Sequence, residues 1–510
     1  MNDNSNNKKL IAKNTIFLYV RMLFSMAVSL YTSREILATL GVEDFGIYGV
    51  VGGIVTMLSF LNSSMSGATS RFLTYEQGRG DFLRLSNTFS SALIVHVLIA
   101  IFVLILCETV GLWFLEYKIV IPEGREFAAH CVYQLSILSA MFGITQVPYN
   151  ASIIAHEKMD VFAFIEILST LARLFIVYLL VIGNFDKLIF YSVLTFMVSF
   201  SIMMIYRVYC IKNFEECKFH WIWERDYLKP LLSFTGWDLY GNLSCAINQQ
   251  GINFLINIFF GVVYNAASGV ANTVMGVLRN LCNNVLMAFR PQIIKQYSLG
   301  NNIESIRLMF LACKFSTALL ILLVIPFVFE IELIMKLWLK EPPLYATVFC
   351  KLLLINSCLT MIEWALSISI HATGRIKSVS IFGGTCFLVA VPIIWMLFKL
   401  GLPVETAYVI TIPITIIVIL VKALIVKKYI LEFRIKDFAS GVLLPLILIS
   451  LILVIPQITL SLYMDEGWVR LLLVFGLDGF VGLACAYFLL LDARQRQYVV
   501  CYAKKRIRHE

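Results

Sequence analysis

The segments "LATLGVEDFGIYGVVGGIVTML" (37–58) and "NIFFGVVYNAASGVANTVMGVL" (257–278) align without a gap. Gly41 matches Gly261, and the following valines, glycines and a leucine match as well. Farther along, "ASIIAHEKM" (151–159) aligns with "SISIHATGRI" (367–376) at nearly the same offset. A shared offset indicates that the chain contains two copies of one structural unit.

The composition is that of a membrane protein. Hydrophobic residues make up 60% of the 510 residues, and only 14% are charged, whereas about a quarter of a soluble domain is charged. Apolar runs recur along the whole chain, and a helix needs roughly 20 apolar residues to cross a bilayer. Open strands would leave backbone groups unpaired in lipid. The sequence therefore predicts an all-α polytopic membrane protein.

Hydropathy and loop composition predict about fourteen transmembrane helices. An even number of helices per copy keeps both copies in the same orientation, related by an axis along the membrane normal. The first twelve spans form two copies of a six-helix unit, and spans 13 and 14 lie outside the duplication. The predicted spans are 12–34, 45–70, 87–110, 127–152, 161–183, 187–210, 229–258, 262–289, 308–330, 345–371, 377–398, 404–426, 438–460 and 469–491.

The duplication divides the chain into four predicted regions. An N-lobe spans 1–211, a cytoplasmic linker 212–228 and a C-lobe 229–430. Residues 431–510 hold spans 13 and 14 and a basic cytoplasmic tail.

Charge distribution predicts the orientation in the membrane. The net charge is +9, and Lys and Arg concentrate in alternate loops and in both tails. Positively charged loops remain in the cytoplasm, so both termini are predicted to be cytoplasmic. The tail "AKKRIRHE" then lies beside anionic lipid, and no nucleic-acid partner is predicted. The first apolar stretch contains Arg21 and lacks a small-residue cleavage site, so it is predicted to stay as span 1.

No cofactor is predicted. The twelve cysteines form no CxxC pair and the six histidines form no HExxH motif, the usual signatures of zinc sites. The chain also lacks a glycine-rich phosphate loop, which argues against direct use of ATP.

Polar residues follow one face of spans 1, 2, 7 and 8. At 100° per residue, Asp238, Asn242, Gln249 and Asn253 of span 7 fall within roughly 60° of one another. Spans 7 and 8 correspond to spans 1 and 2 under the repeat, so the polar faces are duplicated too. The other stripes are Asn14, Arg21, Ser25, Ser29 and Thr32 in span 1, Tyr48, Gly52, Ser59, Asn62 and Ser66 in span 2, and Asn265, Ser268, Asn272, Arg279 and Asn283 in span 8.

Two interpretations of these stripes compete. Polar side chains can join helices by hydrogen bonds worth roughly 0.6–2 kcal/mol each. An arginine near mid-bilayer costs at least about 2.5–3.5 kcal/mol, so it is expected to face water or a partner. Arg21 and Arg279 therefore favour a wet cavity between the lobes. Its candidate binding residues are Arg21, Ser25, Asp238, Asn242, Gln249, Asn253, Asn272, Arg279 and Asn283.

Other intramembrane charges leave two readings open, a proton site or a packing role. Glu166 and Arg173 share one face of span 5 and are placed to neutralise each other. Lys351 and Glu363 of span 10 lie about 120° apart on the helix and do not face the same way. Asp478 is the lone acid of span 14.

The stretch "LGVEDFGIYGVVGGIV" resembles the start of the second helix of Wzx-type polysaccharide flippases. These belong to the multidrug/oligosaccharidyl-lipid/polysaccharide exporter superfamily. The segments "SGATSRFLTYEQGRGD" and the "AHEKM…ATGRIKS" pair are similar to inside loops of the same family. The resemblance covers essentially the whole chain, including fourteen spans in a six-six-two arrangement.

That resemblance implies a fold, a cargo and a cellular location. Two six-helix lobes would form a V with alternating access, with helices 1, 2, 7 and 8 lining the cavity. The implied cargo is a polyprenyl-diphosphate-linked glycan, moved from the inner to the outer leaflet of the bacterial inner membrane. Membrane lipid and polysaccharide assembly proteins are the implied partners, and H⁺ or Na⁺ coupling stays open.

The side-chain chemistry agrees with that cargo. Arginine presents a planar donor fork suited to diphosphate oxygens, so Arg21 and Arg279 are predicted to hold the diphosphate. Neutral amides donate and accept, as sugar hydroxyls require. Asp238, Asn242, Gln249, Asn253 and Asn272 are therefore predicted to meet the glycan or to line its path.

Three alternatives remain. A cation-coupled multidrug exporter and a lipid II flippase belong to the same superfamily. A membrane glycosyltransferase would use Glu43 and Asp44 as an acidic pair in the first outside loop, but no outside connection is long enough to hold an acceptor. The protein is thus predicted to be a transporter and not an enzyme.

Overall fold

The computed structural model is helical throughout the residues it describes. Fourteen helices in this part of the chain are 18 residues or longer, and it contains no β-strand. This confirms the predicted all-α architecture. The described residues are 2–56, 59–117, 121, 123–182, 186–339, 342–490 and 496.

The first half of the chain forms seven helices. The first consists of two helical stretches joined by a kink at Gly41, whose φ and ψ of 82° and 169° are not helical. The third runs through a π-helical turn, Cys107–Gly111, into the fourth. They are α1 (Asn2–Thr56), α2 (Ser59–Arg79), α3 (Phe82–Leu106), α4 (Leu112–Tyr117), α5 (Glu126–Ala155), α6 (Met159–Ile182) and α7 (Lys187–Asn213).

In the described residues the second half contains ten further helices, and most of the described residues of each predicted span are helical. Several extend beyond the predicted ends. They are α8 (Arg225–Phe260), α9 (Val262–Ser298), α10 (Asn302–Leu339), α11 (Ala346–Thr373), α12 (Lys377–Lys399), α13 (Thr406–Val409), α14 (Thr411–Tyr429), α15 (Ile435–Phe438), α16 (Leu444–Tyr463) and α17 (Trp468–Cys485).

Apolar helices long enough to cross a membrane identify a membrane protein. Ten helices in the described part of the chain meet that requirement of length and composition. The helices α1, α2, α8 and α9 are more polar and are not among the ten. These four hold predicted spans 1, 2, 7 and 8, which carry the polar stripes.

Backbone conformation follows the sequence repeat. Gly41 and Gly261, aligned above, both have left-handed φ values, 82° and 91°. The second aligned pair places Glu157 opposite Gly374, and their φ values are 59° and 74°. Left-handed φ is uncommon outside glycine. Its recurrence at aligned helix ends supports the duplication read from the sequence.

The chain divides into two compact units. Unit 1 comprises residues 1–242 and 294–300, and unit 2 comprises 243–293 and 301–510. The boundary falls inside α8, because residues up to 242 pack with unit 1. The four predicted regions rest on the repeat, and their boundaries stay a prediction.

Unit 1 packs around α5, which contacts α2, α3 and α7, while α1 packs along α6. The Tyr133 hydroxyl donates a hydrogen bond of 2.7 Å to the carbonyl oxygen of Cys107, at the start of the π turn. The same carbonyl also accepts a hydrogen bond from the Leu112 N–H within the π turn. The bond joins α5 to the end of α3 inside a core that includes the buried Leu115 and Ile137.

Unit 2 packs around α10 and α11. The α11 helix contacts α10 and α14, and α16 and α17 both pack on α10. A buried pair ties α17 to α10: the Arg470 guanidinium donates to both Glu330 carboxylate oxygens, at 2.8 and 3.2 Å. Gly482 of α17 lies against Leu322, where an added Cβ would overlap the Leu322 side chain. The last two predicted spans therefore dock closely on α10.

Candidate functional site

In unit 1 the polar face of α1 lies against α6. The Arg21 guanidinium lies 5.0 Å from the centroid of the Phe162 ring, a cation–π contact. One turn later, the Ser25 and Thr170 hydroxyls are 3.1 Å apart and share a hydrogen bond. The α1 stripe thus contacts a neighbouring helix of its own unit.

Glu166 is the acid near this contact. Its Oε1 accepts a hydrogen bond of 3.0 Å from the buried Tyr206 hydroxyl of α7. Arg21 interacts electrostatically with the same Tyr206. In the described residues Glu166 makes no salt bridge with Arg173, whose side chain is exposed. The partner of Glu166 is a neutral hydroxyl, and Arg21 is the cation on its side of α6.

The second polar pair of unit 1 lies on α8. Asn242 donates a hydrogen bond of 3.1 Å to the carboxylate of Asp238, one turn earlier. Asn242 is exposed and Asp238 is partly buried. The two residues thus share a helix face, as their spacing predicts.

In unit 2 a compact hydrogen-bond network joins α8, α9 and α13. The buried Ser268 hydroxyl donates to the Asn253 side-chain oxygen at 2.7 Å and lies 2.6 Å from the Tyr408 hydroxyl. Asn272 donates to the Ser268 carbonyl at 2.9 Å. These bonds use polar atoms of two candidate residues for helix packing.

The remaining amides of unit 2 differ in exposure. Gln249 is exposed and Asn283 is partly buried. The neighbouring Asn248 contacts another helix, where its side-chain amide donates a hydrogen bond of 2.7 Å to the carbonyl oxygen of Phe387 on α12.

Arg279 of α9 contacts α11. Its guanidinium lies 5.0 Å from the centroid of the Trp364 ring. Its Nε is buried and has no hydrogen-bond partner in the described part of the chain. A buried donor without an acceptor is costly, so this Nε–H is a donor that the described protein leaves unused.

A buried ion pair lies beside Arg279. Lys422 of α14 donates to the carboxylate of Glu363 on α11, and also to the Ser367 hydroxyl at 2.6 Å. Glu363 interacts electrostatically with Arg279 as well. Because Lys422 already balances Glu363, the three side chains together carry one net positive charge. We call Arg279, Glu363 and Lys422 the unit 2 charge cluster.

Sequence reasoning missed two neighbours in the region around Arg279, the cation Lys422 and the aromatic residue Trp364. Lys422 is the one cation within the apolar stretch "TIPITIIVILVKALIV" (411–426), a signal that it needs a buried anion. The anion that binds Lys422 is Glu363, which the sequence analysis considered only together with Lys351 of span 10. Lys351, the other charge considered there, pairs with Glu332 at 3.7 Å. The Trp364 contact has no sequence signal, because one tryptophan per helix predicts no specific neighbour.

The acid proposed for catalysis is held by an arginine. Arg125 binds the carboxylate of Asp44 and lies 2.5 Å from the carboxylate of Asp186. The hydrogen bond to Asp44 raises the pKa of Arg125. Burial alone would raise the pKa of Asp186, but the Ile189 N–H and the Arg125 guanidinium lower it overall. Asp44 is thus engaged in a structural ion pair that joins α1 to the starts of α5 and α7.

The candidate residues therefore form two groups. Arg21, Ser25, Asp238 and Asn242 belong to unit 1, and the other five belong to unit 2. The stripe positions Gly52, Ser59, Asn62 and Asn265 lie outside the residues whose side chains the structure describes. In the described residues no group of three or more His, Cys, Asp or Glu side chains has the arrangement of a metal site.

Comparison with known proteins identifies the fold. No protein-family model matches the chain, and no curated protein matches it. Solved structures do match: a MATE protein in its straight conformation aligns with a TM-score of 0.70 at 14% identity. The match covers 84% of this chain and 97% of that protein.

Two further matches are superfamily members. One is an outward-facing multidrug resistance MATE family transporter of the MOP superfamily, with TM-score 0.68, 13% identity and coverage of 83% and 96%. The other is a MOP superfamily transporter from Pyrococcus furiosus, described as having a binding pocket of reverse polarity that suggests a different function. Its TM-score is 0.67 at 14% identity, with coverage of 82% and 96%. This chain therefore has the fold of the MATE transporters of the MOP superfamily.

Proposed function

We propose that the protein is a flippase. It moves a polyprenyl-diphosphate-linked oligosaccharide from the inner to the outer leaflet of the bacterial cytoplasmic membrane by alternating access. The cargo serves surface polysaccharide synthesis. Both termini lie in the cytoplasm, and the functional partners are membrane lipid and polysaccharide assembly proteins.

The unit 2 charge cluster carries this proposal. Arg279 has a buried Nε without a protein acceptor, and its acidic neighbour Glu363 is already balanced by Lys422. A site that retains one positive charge attracts an anion and repels a cation. Diphosphate oxygens are strong acceptors for a guanidinium fork, which supports a diphosphate as the anion.

Neutral side chains supply the second half of the recognition. The exposed amides Gln249 and Asn242 can both donate to and accept from sugar hydroxyls. Asn253 and Asn272 already hydrogen-bond to Ser268 within unit 2. We therefore assign them to helix packing and not to direct contact with sugar. Arg21, on the polar face of α1, is the second diphosphate ligand in this proposal.

The location of the lipid-linked oligosaccharide in the two leaflets tests the flippase function. In cells lacking this gene, the finished lipid-linked oligosaccharide should stay on the inner leaflet. An impermeant sugar-modifying reagent, applied to right-side-out and inverted vesicles, measures this location. The wild-type gene should restore outer-leaflet labelling, while Arg279→Ala should reach the membrane and fail to restore it. Normal labelling in cells lacking the gene would contradict the proposal.

A second candidate is a cation-coupled multidrug exporter. The specific observation in its favour is the similarity to a multidrug resistance MATE transporter. In unit 1, Glu166 is hydrogen-bonded to a neutral hydroxyl and could bind a coupling cation such as H⁺ or Na⁺. Drug susceptibility of the same deletion strain separates the candidates: sensitivity to cationic dyes with normal glycan location would favour the exporter.

A further inference from the structure

The helix pair α16–α17 contains a buried polar contact that the transport proposal does not use. Asp478 of α17 is 2% exposed, and Gln457 of α16 is 1% exposed. The Gln457 amide nitrogen donates to the Val474 carbonyl at 3.3 Å and to Asp478 Oδ1 at 3.4 Å. Both contacts are at the long end of the hydrogen-bond range.

Two oxygens of this contact have no partner. Asp478 Oδ2 and Gln457 Oε1 are buried and accept no hydrogen bond in the described part of the chain. An ionised Asp478 would then carry a buried charge supported by a single weak hydrogen bond. Burial of an unpaired carboxylate is so unfavourable that such groups take up a proton instead.

The charged groups around Asp478 do not offer an alternative partner. On the same helix, the Arg470 guanidinium is bound to Glu330 of α10. Lys314 of α10 is hydrogen-bonded to the Leu490 carbonyl, beyond the end of α17. The Cys485 thiol is the remaining titratable neighbour of Asp478, and a thiol supplies no positive charge. Between these groups, α10 presents apolar side chains to α17, Leu322 at Gly482 and Phe327 at Phe475.

We infer that Asp478 is a proton-binding site of the α16–α17 pair, neutral at physiological pH, with its carboxyl O–H available to the Gln457 side-chain oxygen. One proton supplies the single donor that this contact lacks. Both unsatisfied oxygens are then used, because Oδ2 becomes the donor and Gln457 Oε1 the acceptor. The inference is independent of the cargo proposed above.

Infrared spectroscopy tests the proton directly. The full-length protein is placed in lipid nanodiscs at neutral pH and compared with Asp478→Asn. A protonated carboxylic acid gives a carbonyl band above the amide I band, and this band shifts in D₂O. We expect the wild-type band to contain a component that Asp478→Asn lacks. Asp437→Asn is the matched control, because Asp437 is an exposed acid of the same unit.

The frequency of the Asp478 carbonyl band tests the role of Gln457. Gln457→Leu removes the proposed acceptor, so the Asp478 carbonyl band should move to higher frequency and keep its intensity. A spectrum at neutral pH whose carbonyl band has no Asp478 component would overturn the inference. So would a carboxylate band that Asp478→Asn removes, since it would place a charged Asp478 in the folded protein.

Thermal unfolding gives a second measurement if the band is obscured. The unfolded chain exposes Asp478 to water, where an aspartate loses its proton near pH 3.9, roughly. The folded state then binds more protons at neutral pH, so its stability falls as the pH rises. We expect the unfolding temperature of wild type to fall more between about pH 5 and pH 8 than that of Asp478→Asn. Parallel pH profiles for the two proteins would contradict the inference.

Discussion

Arg21 in unit 1 and Arg279 in unit 2 have similar aromatic neighbours and different electrostatic ones. Each guanidinium lies 5.0 Å from the centroid of an aromatic ring on another helix of its unit. Near Arg21, the acid Glu166 is bonded to the neutral Tyr206. Near Arg279, the acid Glu363 is bonded to the cation Lys422.

This difference decides which arginine is available to an anion. Arg21 and Glu166 both interact with Tyr206 and carry opposite charges, so the two side chains together contribute no net charge. The unit 2 charge cluster retains one positive charge, because Lys422 balances Glu363. We therefore expect Arg279 to contribute more to anion binding than Arg21. Substitution of Lys422, Arg279, Arg21 or Tyr206 alters one partner of this comparison at a time.

The largest effect is expected from Lys422→Gln. Glu363 would be left as a buried carboxylate without its lysine, and breaking a buried pair costs about 3–5 kcal/mol. The unfolding temperature in detergent should drop strongly, and Arg279 should become the remaining cation for Glu363. The double variant Glu363→Gln with Lys422→Gln is the matched control and should recover most of the stability. Equal stability of Lys422→Gln and wild type would show that the pair is not buried as described.

Replacement of Arg279 should have the next largest effect, on binding. A charge-assisted hydrogen bond is worth about 1.5–3 kcal/mol, so Arg279→Gln should weaken diphosphate binding roughly 10- to 100-fold. Arg279→Lys keeps the charge but loses the planar fork, and we expect an intermediate affinity. Tryptophan fluorescence titration with a polyprenyl diphosphate measures both. An unchanged affinity in Arg279→Gln would remove this residue from the site.

A smaller loss is expected for Arg21→Gln. Arg21 has an acid of opposite charge, Glu166, on its neighbour Tyr206, so its removal should weaken diphosphate binding by less than Arg279→Gln does. The same titration compares the two variants side by side. A larger loss for Arg21→Gln would reverse the order and place the main anion contact in unit 1.

The smallest effect is expected from Tyr206→Phe. It removes one neutral hydrogen bond to Glu166, worth about 0.5–1.5 kcal/mol, and leaves every charge in place. The unfolding temperature should fall slightly, and diphosphate affinity should stay within a few-fold of wild type. A tenfold loss of affinity would mean that Tyr206 positions Arg21 through Glu166.

Much of the architecture could be predicted from the sequence, because the membrane restricts backbone structure to helices. Apolar run lengths predicted the helices, and the two glycines that the repeat aligns, Gly41 and Gly261, both have left-handed φ values in the structure. The helix boundaries were less predictable, since α9 and α10 continue well past the apolar segments that predicted them.

Side-chain partners could not be predicted in the same way. Helical periodicity gives the face of a residue on its own helix but does not identify the opposing helix. Glu363 was compared with Lys351 of the same span, whereas its partner Lys422 lies 59 residues later. Ser268 and Asn253 were predicted on polar faces, but the serine's bond to Tyr408 requires the tertiary structure. The diphosphate roles of Arg21 and Arg279 stay a prediction.

The most direct test compares the affinities of purified wild-type protein and Arg279→Gln for two ligands of opposite charge. The ligands are a polyprenyl-diphosphate-linked oligosaccharide and a lipophilic cationic dye, measured in the same nanodiscs. A site with one net positive charge should bind the diphosphate lipid in wild type, lose most of that affinity in Arg279→Gln, and bind the dye weakly in both. Tight dye binding in wild type, without affinity for the diphosphate lipid, would contradict the flippase assignment and favour a drug exporter.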